Sequence, residues 1–341
     1  MRTRFTWMVG VAALISIAVL VACSTKYSAS NNGLVVVSTQ GNAVMDTFSL
    51  DLGNGHMTEI NNVNGPPTNG QPTAVVLDPA GAFAYVMVAA STAVNNSSTG
   101  IESFPVASDG KLGTGTTTPL SGGVTPVAMV IDSAGKFLFV ADSAPGAVSV
   151  LAVNNGSLSE VAGSPFLLPA QPGGTIPTAS ALAVTPTVYP PAFAVCSANV
   201  PPTTENLYVT DAAGYEILNY SVSSSGALTF VSQNPTGTVP SGVTVDPCNR
   251  FVYVSNSQSF TVSAYTICQV VSLPTCPNGN FSLLPVVSPQ ATTPGGNTFA
   301  TENGPGPLLM DAYANYLYVL NKNANDISTF KVSSTTGSLT P

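Results

Sequence analysis

Charge is what this sequence lacks most. Only 24 of its 341 residues are charged (8 Lys and Arg, 16 Asp and Glu), 7% of the chain, where a soluble domain carries about 25%. Basic residues are the scarcer kind. A net charge of −8 excludes a nucleic-acid partner, because tracking a phosphate backbone needs a basic patch. Histidine is nearly absent: His56 stands alone, so a Ser-His-Asp triad has one imidazole to draw on and a His-built metal centre has too few ligands. No Gly-rich run precedes a helix-forming segment, which removes the P-loop and dinucleotide fingerprints. The residues call for no cofactor and no metal. Beyond the N-terminus no run reaches about 18 apolar residues without Gly, Pro or charge, so none reads as a membrane-spanning helix.

What is plentiful is Gly (30) and Pro (28), with many Ser, Thr and Asn beside them. Gly and Pro break helices and β-branched residues prefer strands, so long helices are excluded. A hydrophobic content of 44% excludes global disorder. Arg2 and Arg4 precede an apolar stretch from Phe5 to Val21, the layout of a secretory signal. It closes on Leu20-Val21-Ala22-Cys23-Ser24 and resembles a bacterial lipoprotein signal peptide. That resemblance implies cleavage before Cys23, a diacylglycerol on its thiol, export, and a lipid anchor in the cell envelope, at the outer membrane in a diderm host. The expected organisation is a signal peptide over 1–22, a lipidated cysteine with a polar tether over 23–33, and one folded domain over 34–341.

That domain is a repeat. A Pro leads a short apolar run, then come Asp, a Gly or Asn turn, and a strand with an aromatic residue before Val. The copies are Pro72…Asp78…Gly81…Tyr85-Val86, Pro126…Asp132…Gly135…Phe139-Val140, Pro240…Asp246…Asn249…Tyr253-Val254 and Pro307…Asp311…Tyr318-Val319. A degenerate copy has Pro177 and, after an insertion, Tyr208-Val209-Thr210-Asp211. A second strand and a Gly-x-Leu-like hairpin follow each time, as at Gly110-Lys111-Leu112 and Gly156-Ser157-Leu158. Four short strands per period of about 40–50 residues is the mark of a propeller blade. The aspartates recur at one position of the repeat, so they are expected to cap turns. We therefore expect an all-β propeller of four-stranded blades with six repeats visible. The pattern enters at a middle strand (Leu34–Val37) and leaves after an outer one (Leu339). This predicts that the first blade lacks its inner strand and that the C-terminus is truncated, with a six-bladed ring as the rival.

Tyr253-Val254-Ser255-Asn256 and Tyr208-Val209-Thr210-Asp211 resemble the Tyr-Val-Thr-Asn repeat of the lactonase-type β-propellers, the seven-bladed group that includes 6-phosphogluconolactonase-like proteins. The resemblance implies a ligand pocket on the end of the blades where outer-to-inner and middle-strand loops meet. Sorted that way, Asp142, Asp211, Glu216, Lys322 and Asp326 reach the pocket end from middle-strand loops, and Glu302 from a long outer-to-inner segment. His56 and Arg250 fall on the other end. Asp142, Asp211 and Glu216 are the expected cluster, and the weak catalytic candidates, since two close carboxylates can share a proton and act as a base. A cation or donor for the developing oxyanion is scarce, Lys322 being the one cation.

Four cysteines remain after the expected processing, and an exported chain with an even number favours disulfides. Cys268 and Cys276 flank one hairpin, and Cys196 and Cys248 belong to turns on one end. The pairs Cys268–Cys276 and Cys196–Cys248 are expected, with a zinc site of four cysteines as the rival. The sequence by itself favours a non-catalytic scaffold, held to the membrane by the lipid on Cys23 and binding a protein or glycan. The alternative is a hydrolase of sugar lactones.

Overall fold

Short apolar runs cut by Gly, Asn and Pro leave the chain only local pairing, and the strands follow one another as antiparallel meanders. The computed structural model describes residues 15–18, 32–39, 43–60, 66–90, 99–121, 124–187, 205–268, 281–288, 291–292 and 296–341. Blade 1 is β1 (Ile15–Ala18), β2 (Asn32–Thr39), β3 (Val44–Asp51) and β4 (Met57–Glu59). Blade 2 is β5 (Gln71–Leu77), β6 (Phe83–Ala89), β7 (Gly100–Pro105) and β8 (Thr116–Pro119). Blade 3 is β9 (Pro126–Ile131), β10 (Phe137–Asp142), β11 (Ala147–Asn154) and β12 (Ser157–Glu160), with β13 (Phe166–Leu167) added on β11. Blade 4 is β14 (Ala179–Val184), β15 (Glu205–Asp211), β16 (Glu216–Val222) and β17 (Leu228–Pro235). Blade 5 is β18 (Pro240–Val245), β19 (Phe251–Asn256), β20 (Thr261–Ile267) and β21 (Leu283–Pro285), with β22 (Thr298–Ala300) added on β20. Blade 6 is β23 (Pro305–Met310), β24 (Tyr316–Asn321), β25 (Asp326–Val332) and β26 (Leu339–Thr340). The fold is the expected all-β propeller, with six blades among the described residues.

One expectation fails at the N-terminus. The first blade does not lack its inner strand: Ile15–Ala18 pairs with Val36–Thr39 in that place. Those four residues belong to the segment expected to be a cleaved signal. Cys23 and the tether as far as residue 31 lie outside the described residues.

The chain divides into two compact units. One is Met1–Leu77 with Gly81–Thr117, and the other is Asp78–Ala80 with Thr118–Pro341. In the first, Leu34, Val36 and Met45 of blade 1 pack on Val75, Leu77, Val86 and Phe104 of blade 2. In the second, the aromatic of each middle strand drives a like seam. Phe139 and Val150 of blade 3 meet Leu207, Val209 and Leu218 of blade 4. Tyr208 and Ile217 of blade 4 meet Val252, Val254 and Tyr265 of blade 5. Tyr253 and Ala264 of blade 5 meet Leu317, Val319 and Phe330 of blade 6. Both faces of β10, β15 and β19 are covered, which is why they read as unbroken apolar runs rather than as alternation.

Proline opens β9, β18 and β23, where the missing N–H costs no ladder bond. The last of these opens at Pro305, two residues before the expected Pro307. Hydroxyls beside the strand starts staple neighbouring inner strands: Ser180 Oγ donates to Pro240 O at 2.7 Å and Ser241 Oγ to Pro305 O at 2.7 Å. The expected turn aspartates do cap turns. Asp132 Oδ1 accepts Lys136 N at 2.6 Å, and Asp311 Oδ1 accepts Asn315 N and Tyr316 N, each at 2.6 Å.

Candidate functional site

Three residues after each turn aspartate the backbone is left-handed, at Gly81, Gly135, Asn249 and Ala314, so that end of the blades is built for tight reversal. Arg250 is spent there: Nε donates to Asp246 Oδ2 at 2.6 Å, Nη1 donates to Ser334 O at 2.9 Å, and the guanidinium lies 5.3 Å from the Phe251 ring centroid. His56 is exposed in the β3–β4 hairpin, its N–H on Asn54 Oδ1 at 2.8 Å.

At the other end the middle strands of blades 3 to 6 finish on a polar residue, and in blades 3, 5 and 6 the repeat gives it one job. In blade 5 Asn256 Nδ2 donates to Thr261 Oγ1 and Ser263 Oγ, both at 3.0 Å. In blade 6 Asn321 Nδ2 donates to Asp326 Oδ1 and Ser328 Oγ, both at 2.8 Å. Asp142 fills this position in blade 3, where its Oδ2 accepts Ser149 Oγ at 2.7 Å and Ser149 N at 3.1 Å. Ser149, Ser263 and Ser328 share one register, opposite Val140, Val254 and Val319. Asp142 is therefore the carboxylate version of a structural cap. It is fully buried, its Oδ1 has no partner, and desolvation pushes its pKa up to about 6.

Blade 4 breaks the pattern. Leu218 stands opposite Val209 where blades 3, 5 and 6 have serine, and Glu216 stands opposite Asp211. Without the serine, Asp211 turns elsewhere: Oδ1 accepts Thr178 N at 2.7 Å and Ala213 N at 3.0 Å, and Oδ2 accepts Gln171 Nε2 at 3.1 Å. The same Gln171 amide also donates to Glu216 Oε1. One amide thus gathers two buried carboxylates. Burial raises the pKa of Glu216, the Gln171 hydrogen bond opposes that, and the Asp211 charge adds to the rise. Gly214 makes the turn between them fit, since a Cβ there would lie 2.6 Å from Asp211 Oδ2 and 2.9 Å from Gln171 Nε2.

The expected cluster of three is thus a pair and a separate residue. Asp211 and Glu216 share the face of blade 4 that packs on blade 3. Asp142 lies on the face of blade 3 turned away from blade 4, with Leu138 and Val140 rather than Phe139. Glu302 lines a different cavity of about 280 Å³, with Thr301, Ser328, Thr329, Phe330 and Pro341. Asp326 is tied to Asn321, and Lys322 is exposed with its stem over Gly306. Gln171 was missed by sequence reasoning. It sits on an outer-to-inner loop, the right class of loop, but an amide between prolines carries no local signal. Cys248 and Cys268 are buried and disulfide-bonded, which leaves them no thiolate for zinc. Cys196 and Cys276 lie outside the described residues, so neither expected pairing is carried further.

A family model described as "Lactonase, 7-bladed beta-propeller" matches residues 25–165 and 182–283. No curated protein matches the chain. Among solved structures, a periplasmic gluconolactonase from Pseudomonas aeruginosa is 18% identical with a TM-score of 0.62, covering 90% of this chain and 80% of that one. A candidate 6-phosphogluconolactonase from Bacteroides fragilis is 17% identical with a TM-score of 0.64, covering 92% and 80%. A similar protein from Bacteroides uniformis is 15% identical with a TM-score of 0.66, covering 92% and 81%. The family match overturns the expectation of a non-catalytic scaffold without enzymatic activity. Scarcity of His and Arg had argued against an enzyme, but lone residue counts do not register a carboxylate pair assembled by a neutral amide.

Proposed function

The chain belongs to the Lactonase family of seven-bladed β-propellers, and from that premise we propose that it hydrolyses a sugar lactone at the Asp211–Glu216 pair. The observation that carries this is the departure of blade 4 from its own repeat: a structural cap recurs, whereas Glu216–Gln171–Asp211 occurs on one blade. Glu216 is the general base. Its raised pKa makes it a stronger base than an ordinary carboxylate, and Asp211 keeps it so. Glu216 takes a proton from water as the water oxygen bonds to the lactone carbonyl carbon. The tetrahedral intermediate collapses, the ring C–O bond breaks, and the ring oxygen leaves with that proton, giving the open hydroxy acid. Gln171 is a positioning residue that holds both carboxylates.

The substrate we favour carries no phosphate. Lys322 is the one cation expected at this end, and phosphate recognition draws on clustered Arg and Lys. Initial rates with δ-gluconolactone and with its 6-phosphate test this. The expected result is turnover above spontaneous hydrolysis, faster for the unphosphorylated lactone. Glu216→Gln should lower kcat about 10²–10⁴-fold. Asp142→Asn should leave it within about twofold, because asparagine already serves at that position in blades 5 and 6. Equal loss in both variants would refute the site.

We further propose that the protein works outside the cytoplasm, anchored by a lipid on Cys23. Arg2, Arg4, the apolar stretch and the Leu20–Cys23 motif support this, and the Pseudomonas aeruginosa relative is periplasmic.

A further inference from the structure

The turns that lead from the second to the third strand of a blade share one backbone position. The residue just before the third strand is left-handed in blades 1, 4, 5 and 6: Ala43 (φ 51°), Tyr215 (55°), Phe260 (54°) and Asn325 (57°). In three of these blades the loop that enters the next blade holds its carbonyl. Thr68 N donates to Ala43 O at 2.8 Å, Thr236 N to Tyr215 O at 2.8 Å and Thr301 N to Phe260 O at 2.9 Å. A left-handed backbone suits Gly and Asn and strains a bulky residue. Blade 6 makes the easy choice with Asn325. Blades 4 and 5 carry aromatic rings instead and leave them in solvent: Tyr215 is 45% exposed and Phe260 43%. Neither ring has an aromatic or cationic partner among the described residues. Strain and exposed apolar area both work against folding, so two local rules are broken together at a position where asparagine would serve. Such conflicts collect at binding sites.

Their surroundings say which site. Tyr215 stands between Gly214, packed on Asp211 and Gln171, and Glu216 itself. The loop that carries Gln171 brings Ile176, 72% exposed, two residues before Thr178, whose N–H donates to Asp211 Oδ1. Both loops that build the carboxylate pair thus present an open apolar side chain beside it. Apolar walls around a few converging polar groups make up a small-molecule site.

We propose that Tyr215, with Phe260 on the next blade, is an aromatic wall on which a neutral pyranose-type lactone stacks. The proposal rests on the hydrolase reading of the Asp211–Glu216 pair and names what holds its substrate. A pyranoid ring carries C–H groups on its faces and hydroxyls around its rim. The electron-rich face of an aromatic ring attracts those C–H groups, and the rim is left to amides and hydroxyls such as the exposed Gln258 beside Phe260. The ligand is uncharged, because the carboxylates repel an anion and the rings offer no countercharge. The same repulsion expels the ring-opened acid.

Titration calorimetry of the full chain with D-glucono-δ-lactam, which keeps the ring and its hydroxyls but has an amide in place of the ester, reads binding without turnover. Tyr215→Asn should weaken binding at least about 10-fold and at the same time raise the thermal midpoint by about 1–3 °C, because asparagine fits the left-handed turn. Phe260→Asn should move both quantities the same way, with a smaller loss of affinity. Tyr215→Phe should stay within about twofold of wild type, since stacking needs the ring and not the hydroxyl. Tyr313→Asn, at an exposed tyrosine of the opposite end, should leave affinity unchanged. With δ-gluconolactone, Tyr215→Asn should raise KM at least about 10-fold and change kcat less than about threefold. Wild-type lactam affinity in Tyr215→Asn overturns the inference. So does a thermal midpoint that falls along with affinity, which would make the tyrosine a structural residue. Lactam binding that depends on Tyr215, in a protein that does not turn over δ-gluconolactone, would sustain the wall and refute the hydrolase; turnover indifferent to Tyr215 would do the reverse.

Discussion

Carboxylates in this protein are sorted by where the repeat puts them. Asp132, Asp246 and Asp311 hold turns, Asp142 holds the end of a middle strand, and none of these roles needs a substrate. Glu205 is different again. It opens β15 with its side chain 8% exposed and its Oε1 without a partner, and burial with the nearby Asp132 charge pushes its pKa up to about 8. A folded pKa above the unfolded value of about 4.5 means the folded state favours the proton. Stability from this group is whole below about pH 4.5 and is lost as pH rises to about 8. Asp142 is half-protonated near pH 6, so it shares the change just above that pH and Glu205 carries most of the fall towards pH 8. Glu205→Gln should flatten the stability profile there, removing a fall on the order of 2 kcal/mol. Urea unfolding at pH 6 and pH 8 checks it, and a variant with the wild-type slope would exclude Glu205 as the cause. The turn role of the aspartates could be read from sequence because it repeats. The charge state of Glu205 could not, because it depends on which residues the fold stacks over it.

Among elements, the seams between blades are where sequence and structure agree most closely. The aromatic-Val strands were legible because burial on both faces leaves an unbroken apolar run. Their hydroxyls were not, since their acceptors lie in the following blade's hairpin. These bonds differ in what their loss would leave behind. Phe281 O also accepts Asn219 Nδ2 at 2.8 Å, so Tyr208→Phe leaves that carbonyl satisfied. Tyr253→Phe strips the buried Gly337 O of its tyrosine. We expect a cost of about 1–2 kcal/mol for Tyr253→Phe and about half that for Tyr208→Phe, measured by chemical denaturation; the reverse order would contradict the account. β1 poses a sharper question. Ile15–Ala18 sits as an inner strand of blade 1, yet the same residues carry the export signal. Cleavage before Cys23 would remove that strand, so the two fates exclude one another. Intact-mass analysis of the membrane fraction should find a diacylated chain beginning at Cys23, and Cys23→Ala should accumulate as precursor. A wild-type chain that keeps residues 1–22 would instead make β1 a permanent strand and end the lipoprotein proposal.

For the molecule as a whole, a chain with so little charge folds by stacking apolar sheets and keeps its few ionisable groups for turns, caps and one pair. The blade repeat was readable at the level of strand order, hairpins and turn chemistry. The pair was half readable: Asp211 and Glu216 were in view, but Asp142 was grouped with them because loops at one end of a propeller look equivalent until the register assigns each side chain a face. Gln171 needed the fold. Glu216, its pKa raised by burial and by Asp211, is the proposed base for lactone hydrolysis. The pH dependence of kcat/KM for δ-gluconolactone, corrected for spontaneous hydrolysis, tests it most directly. The rate should climb through an apparent pKa above the ordinary glutamate value of about 4.3, and that limb should disappear in Glu216→Gln. Turnover with the same pH profile in wild type and Glu216→Gln, or no turnover at any pH, would contradict it.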